Sequence, residues 1–169
     1  DVIFISLPNQ FAAEAACLSL QNGLHVFCEK PPARTHAELL EVEKQSLKFP
    51  ELKLMYGFNH RFHLSVEEAK LLIDSNSLGR LINMKGVYGK SQMISFNQTD
   101  WRTDREASGG GILLDQGIHM LDLMRYLSGE NFTDVFSIID NAFWNFDVED
   151  NAYVLMKSPK GLVAQLHSS

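Results

Sequence analysis

The opening segments of this chain leave few folds open. Val2 to Leu7 is a short continuous apolar run, the pattern of a strand covered on both faces. Pro8-Asn9 ends it, Phe11 to Asn22 reads as a helix, and Gly23 stops that helix. His25 to Cys28 is a second short apolar strand. Strand, helix and strand in that order make a βαβ unit, so the sheet is parallel and its crossover right-handed. Ligands of such sheets sit beyond the carboxyl ends of the strands. Pro8 and Asn9 stand there after the first strand, and Glu29, Lys30 and Pro31 after the second.

Farther on, Thr35-His36-Ala37-Glu38 is a capping box that starts a helix running to Phe49, and Leu52 to Phe58 is a third apolar strand. The composition shifts at Asn59-His60-Arg61. A second capping box, Ser65-Val66-Glu67-Glu68, opens a helix ending near Ser75, with Gly79 in the turn beyond. Leu81 to Gly89 reads as a strand. Lys90 to Ser108 is a long polar connection without periodicity, and loops of that length tend to be functional. Val135 to Ile139, Asn151 to Lys157 and Leu162 to His167 read as strands, the last two joined antiparallel through a tight turn at Ser158-Pro159-Lys160-Gly161. Two unlike pieces result, α/β over 1–58 and α+β over 59–169.

Between the long connection and those strands lies Gly109 to Ser128, GGGILLDQGIHMLDLMRYLS, a glycine loop feeding a helix that Gly129 stops. At about 100° per residue, Asp115, His119, Asp122 and Tyr126 share one stripe, and nearly every other direction is apolar. Such a helix is buried on most sides, so the acid and the imidazole must be paired or must face a cleft. Asp115 and His119, four apart, can take a proton from a hydroxyl and return it. A satisfied helix histidine bonded to a neighbouring acid is the competing reading at this point.

Composition narrows the function classes. Lys+Arg 15 against Asp+Glu 21 gives a net charge of −6, which argues against a nucleic-acid or anionic-membrane surface. No apolar run reaches the length that spans a bilayer. Only Cys17 and Cys28 occur, without zinc spacing, and they read as reduced, buried thiols. The chain enters a buried strand directly from Asp1 and stops at Ser169 in or just after a strand, so both ends read as cut.

EKPP (Glu29 to Pro32), GFNHRF (Gly57 to Phe62), DWR (Asp100 to Arg102) and SGGGILLDQGIHMLD (Ser108 to Asp122) run in that order. Together they resemble the Gfo/Idh/MocA family of NAD(P)-dependent sugar and cyclitol dehydrogenases, and the likeness covers essentially the whole chain. The resemblance implies the C-terminal half of a Rossmann parallel sheet followed by an open-faced, mostly antiparallel sheet domain with helices, and a cytoplasmic enzyme. It implies Lys30, Asp115 and His119 as catalytic. His119 takes the substrate hydroxyl's proton as hydride leaves for NAD or NADP, Lys30 stabilises the developing charge on that oxygen, and Asp115 orients the imidazole. Pro8, Asn9, Glu29, Lys30 and Pro31 match the nicotinamide side of the cofactor cleft. Arg61, Trp101, Arg102, Asp115 and His119 match the side of a sugar-like substrate. The Lys30-Pro31 bond is a candidate for cis geometry.

Two departures stand out. Leu7 and Ala12 replace a threonine and a histidine common in the family's first strand and turn. No G-x-G-x-x-G occurs, and Gly109-Gly110-Gly111 follows a polar loop, not a strand, so it cannot replace that motif. The first βαβ unit is therefore expected upstream of Asp1, and the isolated chain is expected to bind dinucleotide poorly and turn over nothing. A homo-oligomer, dimer or tetramer, formed through the outer sheet face is expected, because a one-sided sheet with apolar residues outside needs cover. The alternatives are a non-catalytic dinucleotide-sensing or scaffold protein of the same fold, against which the retained Lys30 and His119 speak, and metal-dependent hydrolysis through His60, His63, Asp115 and His119. For His60 and His63 a surface or turn position is the stronger reading, so no metal site is expected.

Overall fold

The structure, a computed structural model, describes residues 1–90 and 100–169. The chain divides into two compact units. One holds Asp1–Gly57 and the described part of the segment ending at Gly111. The other starts at Phe58, resumes at Ile112 and runs to Ser169.

In the first unit β1 (Val2–Ile5), α1 (Asn9–Gln21), β2 (His25–Cys28), α2 (His36–Lys48) and β3 (Leu54–Tyr56) follow one another. The strands pair in the order β1-β2-β3, all parallel, with Ile5 opposite Cys28 and Cys28 opposite Tyr56. Ala12, Ala13, Ala16 and Leu20 of α1 join Ile5, Val26, Cys28 and Val42 in one core. Side chains alternate along a strand, so Ile5 points into that core while Phe4 points away. Phe4 is 75% exposed and Val2 56%, which corrects the expectation of a strand covered on both faces. Cys28 is buried, and burial, with the Glu29 carboxylate second, pushes its thiol up to about 11, so it stays protonated and inert at neutral pH. Cys17 is also free but only partly buried, against expectation.

The start of α2 is close to the expected box. The Thr35 hydroxyl accepts from the Glu38 N–H at 3.2 Å, but the Glu38 carboxylate returns to the N–H of Arg34 at 2.9 Å, one residue earlier than a standard box. Of the long polar connection, residues 91–99 lie outside the described residues, and the remainder is helical turn. Asp100 caps the 3-10 turn Trp101–Thr103 and Asp104 caps α4 (Arg105–Ser108), each carboxylate accepting a backbone N–H two or three residues on. Arg34 donates to the carbonyl of Glu106, and Asn9 Nδ2 to that of Ser108 at 2.8 Å, which fastens this segment to the βαβ unit.

The second unit contains the 3-10 turn Asn59–Phe62, α3 (Leu64–Asp74), β4 (Asn83–Tyr88), a π-turn Leu113–Gly117, α5 (Ile118–Ser128), β5 (Asp134–Asp140), β6 (Asn151–Lys157) and β7 (Val163–Ser168). Its sheet runs β4-β7-β6-β5, with β4 parallel to β7 and the other pairs antiparallel, the mixed sheet that the resemblance implies. Met124 of α5 packs on Val154, Met156, Ala164 and Leu166. On the other face Phe136, Ile138, Tyr153 and Leu155 are exposed, and the register sets Phe136 beside Leu155 and Ile138 beside Tyr153. The second expected capping box is not formed. The 3-10 turn feeds α3 through His63, whose carbonyl accepts from Val66 and Glu67, so Ser65 lies inside the helix. Among the described residues no helix is long and apolar enough to cross a membrane.

Candidate active site

In the first unit the strand ends stand side by side because the sheet is parallel. Pro8 and Asn9 follow β1, Glu29, Lys30 and Pro31 follow β2, and Gly57 follows β3. The N–H of Glu29 donates to the Ile5 carbonyl at 2.9 Å and that of Gly57 to the Cys28 carbonyl at 2.8 Å, so the ladder reaches the sheet's very edge. The Lys30-Pro31 peptide is cis, as expected. A Cβ on Gly57 would stand 3.2 Å from both carboxylate oxygens of Glu29, so that side chain lies over the glycine. Asn9 is buried and its amide is engaged by Ser108. Trp101 and Arg102 form a small assembly of their own. Arg102 donates to Asp100 at 3.1 and 3.2 Å and its guanidinium lies 4.4 Å over the Trp101 ring, a cation–π stack.

The second unit holds Arg61, Asp115 and His119. The expected continuous α-helix is interrupted by the π-turn Leu113–Gly117. A π-turn winds less per residue than an α-turn, so Asp115 and His119 are not related by α-helical phase and the four-residue stripe begins only at His119. The cause is local. Gly117 approaches β7 so closely that an added Cβ would meet Ser168 Oγ at 2.5 Å and Leu113 Cδ1 at 2.9 Å. Asp115 accepts from Gln116 at 2.7 Å, and Lys90 Nζ lies 3.8 Å from the same carboxylate oxygen.

On α5 the polar groups are paired, one of the two outcomes expected. Its buried side chains are His119, Asp122 and Met124, two of them polar. The 3-10 turn explains this by supplying a partner for each polar group. Arg61 donates to Asp122 through Nε at 2.7 Å and Nη2 at 2.5 Å, a bidentate pair. Its guanidinium lies 5.0 Å from the Tyr126 ring and 5.8 Å from that of Phe58. His60 stacks on His119 with ring centroids 4.2 Å apart and planes 15° from parallel. His60 is thus a turn histidine, as expected, but one whose ring is stacked on another, whereas His63 is exposed. In the sequence the only sign of these pairs was the adjacency His60-Arg61, because nothing there says which helix the turn meets. Among the described residues no group of three His, Cys, Asp or Glu could hold a metal ion.

The loop between β5 and β6 braces the start of the π-turn. The Glu149 carbonyl accepts from Ile112 at 3.0 Å and its carboxylate from Leu113 at 3.3 Å. Next to it, burial pushes the Asp150 carboxyl up, but the N–H groups of Ala142, Trp144 and Phe143 and the Asn151 amide outweigh that and hold it at about 2. A depressed carboxylate pKa contributes stability above the unfolded value and loses it as pH falls through the folded one. Asp150→Asn is therefore expected to lower the unfolding midpoint near neutral pH and to lose that deficit between roughly pH 4 and 2, where the native carboxyl is itself protonated. Thermal melts of both proteins across that range check it, and a deficit constant with pH would refute the assignment.

Comparison with known proteins gives a consistent result. Residues 1–57 match the family described as an oxidoreductase family with an NAD-binding Rossmann fold. Residues 66–169 match the GFO/IDH/MocA C-terminal domain. The chain is 34% identical over 130 residues to levoglucosan dehydrogenase of Pseudarthrobacter phenanthrenivorans, covering 76% of this chain and 33% of that one. It is 35% identical over 136 residues to D-glucoside 3-dehydrogenase of Escherichia coli, covering 76% and 36%. A levoglucosan dehydrogenase solved with NADH and levoglucosan superposes with a TM-score of 0.92 at 28% identity, over 99% of this chain and 47% of that one. The chain thus spans about a third of the two curated relatives and about half of the solved structure.

Proposed function

This chain belongs to the Gfo/Idh/MocA oxidoreductases, and on that premise we propose that its protein moves a hydride between the hydroxyl-bearing carbon of a sugar-like or cyclitol substrate and NAD or NADP. The observation that carries the reading is the buried imidazole of His119, 6% exposed, at the start of a helix whose preceding π-turn presents Asp115. A buried imidazole on a largely apolar helix must find polar partners, and an imidazole so placed is suited to take a proton from a hydroxyl brought against it. The residues at the strand ends fit the nicotinamide end of a dinucleotide. Three parallel strands finish together at Pro8, Glu29-Lys30-Pro31 and the side-chain-free Gly57. The nicotinamide ring, when bound, accepts or returns the hydride. In this reading His119 takes the hydroxyl proton, Lys30 hydrogen-bonds the same oxygen and stabilises its developing charge, and Asp115 orients the imidazole. Pro8, Glu29 and Pro31 line the nicotinamide, and Trp101 and Arg102 offer an aromatic face and a guanidinium to a sugar ring. Asn9 stands on the nicotinamide side and Arg61 on the substrate side, held in place by Ser108 and Asp122 respectively.

The same proposal includes a division into a Rossmann piece over 1–58 and a substrate piece over 59–169, a cytoplasmic home, and a homo-oligomer through the exposed Phe136, Ile138, Tyr153 and Leu155. The test is a spectrophotometric assay of the complete protein with NAD and NADP against levoglucosan, alkyl glucosides and inositols. Reduction of either cofactor with one of these is the expected result, and none with any would overturn the reading. NADH titrated into the 169-residue chain alone is expected not to saturate in the micromolar range, since it lacks a glycine-rich phosphate loop. Saturation there would refute the expected inactivity of the isolated chain.

A further inference from the structure

We propose that His60 is the positioning residue for His119, holding the plane of its imidazole, and that the stacked pair carries at most one positive charge across the neutral range. The inference rests on His119 as the proton acceptor, and it concerns a neighbour that the sequence reading left as a surface or turn histidine.

At a 4.2 Å centroid separation and 15° between planes the two rings are in face-to-face van der Waals contact. Turning His119 about its χ2 would drive a ring edge into the face of His60. His60 is itself confined, with His63 edge-on at 5.3 Å and Tyr88 of β4 at 5.4 Å. His119 is walled further by Phe58, edge-on at 6.3 Å, and by Tyr88 at 6.0 Å. The backbone carrying His60 is pinned one residue later. Arg61 holds Asp122, three residues beyond His119, so consecutive residues of the turn meet residues one helical turn apart on α5. Two rungs, one aromatic and one ionic, thus lock the 3-10 turn to the helix face that bears the imidazole.

The stack has an electrostatic consequence. When His119 takes a proton, the neutral face of His60 lies over the new cation, a favourable arrangement of the cation–π kind. A second proton on His60 would put two like charges about 4 Å apart in a poorly hydrated site, and their repulsion opposes it. Among the described residues, charged groups on the elements packed around the pair occur as ion pairs. Asp115 of the π-turn has Lys90 at 3.8 Å, Asp122 of α5 has Arg61, and Tyr88 of β4 and Phe58 contribute rings; His63 at the head of α3 is exposed. The protons therefore belong to the pair and enter in two separated steps.

The test is an NMR titration of the histidine ring Cε1–H resonances in the 169-residue chain from roughly pH 4.5 to 8.5, around the ordinary histidine range. His119→Asn and His60→Phe assign the two signals. In the unsubstituted chain both rings are expected to titrate in two steps separated by at least about one pH unit. His60→Phe keeps an aromatic face and removes the competing charge. His119 is then expected to titrate in one step, with its midpoint raised by about half a unit or more. His60→Ala removes the stack, and the His119 signal is expected to lose its ring-current shift. Identical His119 curves in the unsubstituted chain and His60→Phe would overturn the proposal. Should that variant fail to fold, two-step curves in the unsubstituted chain support the proposal and single independent steps overturn it. The titration needs no turnover, so a failed cofactor assay leaves its outcome standing, and an uncoupled pair leaves the assay's outcome standing.

Discussion

Gly109→Ala is expected to remove about 2–5 kcal/mol of unfolding free energy, from one added methyl group. Gly109 ends α4 in the left-handed region at φ 85°, which for an alanine costs about 1–2 kcal/mol. Space adds more. An ideal Cβ there stands 2.6 Å from Arg34 Cβ and 2.7 Å from both Arg34 Cα and its carbonyl oxygen. Two of those three atoms are backbone, so no rotamer change relieves the clash, and overpacking of this kind costs about 1–3 kcal/mol or more. Arg34 cannot yield easily, because its guanidinium is shared between Glu38 and the Glu106 carbonyl. Gly23 supplies the control. It also follows a helix with positive φ, 75°, but an added Cβ there meets nothing within 4 Å. Gly23→Ala is expected to cost only about 1 kcal/mol, the conformational share. Urea unfolding of the two variants separates strain from crowding, and equal losses would show that the contact with Arg34 carries no weight.

The contrast between these glycines marks how far sequence reading could go. Gly23 was legible as a helix stop, because a glycine after a periodic run needs no tertiary information, whereas Gly109 read as the opening of a glycine loop, because the polar stretch before it carries no helical period. The Thr35 cap and the Ser158–Gly161 turn were legible in the same way as Gly23, set by contacts within a few residues, while the parallel βαβ order followed from the strand–helix–strand succession. The cover of β1 was not legible. An apolar run says that a strand can be buried on both faces, not that the described chain supplies both layers, and Phe4 lies exposed. The Ser65 box failed because a 3-10 turn upstream already provided the first carbonyl acceptors through His63. The π-turn was hidden for a similar reason, since the periodicity of 109–128 suits an α-helix and only the proximity of Ser168 to Gly117 makes the wider turn favourable.

The site divides in the same way. Lys30, Asp115 and His119 stood out through motif spacing, whereas the partners of His119 and Asp122 come from a turn some sixty residues earlier in the chain. Arg61 shows the limit most plainly. Its motif suggested a place on the substrate side, but nothing in it showed that the guanidinium also pairs with Asp122 of its own chain.

That pair yields an asymmetric expectation. Arg61→Ala is expected to cost about 2–3 kcal/mol, and Asp122→Ala about 1 kcal/mol or less. The reason is exposure. The Asp122 side chain is 9% exposed and the Arg61 side chain 40%. Removing the arginine strands a carboxylate against apolar neighbours. The cost of a stranded buried charge, about 3–5 kcal/mol when burial is complete, is reduced here because water can enter where the half-exposed guanidinium stood. Removing the aspartate frees an arginine that already reaches solvent and keeps the ring faces of Tyr126 and Phe58 at 5.0 and 5.8 Å. The double variant leaves neither charge unpaired, so it is expected to be more stable than Arg61→Ala alone, an inversion that additive contact energies do not allow. Denaturant unfolding of the four proteins measures the cycle. Equal losses in the two single variants would mean that Asp122 is hydrated in the folded protein, and the ionic rung beside His119 would then be a surface contact of little consequence.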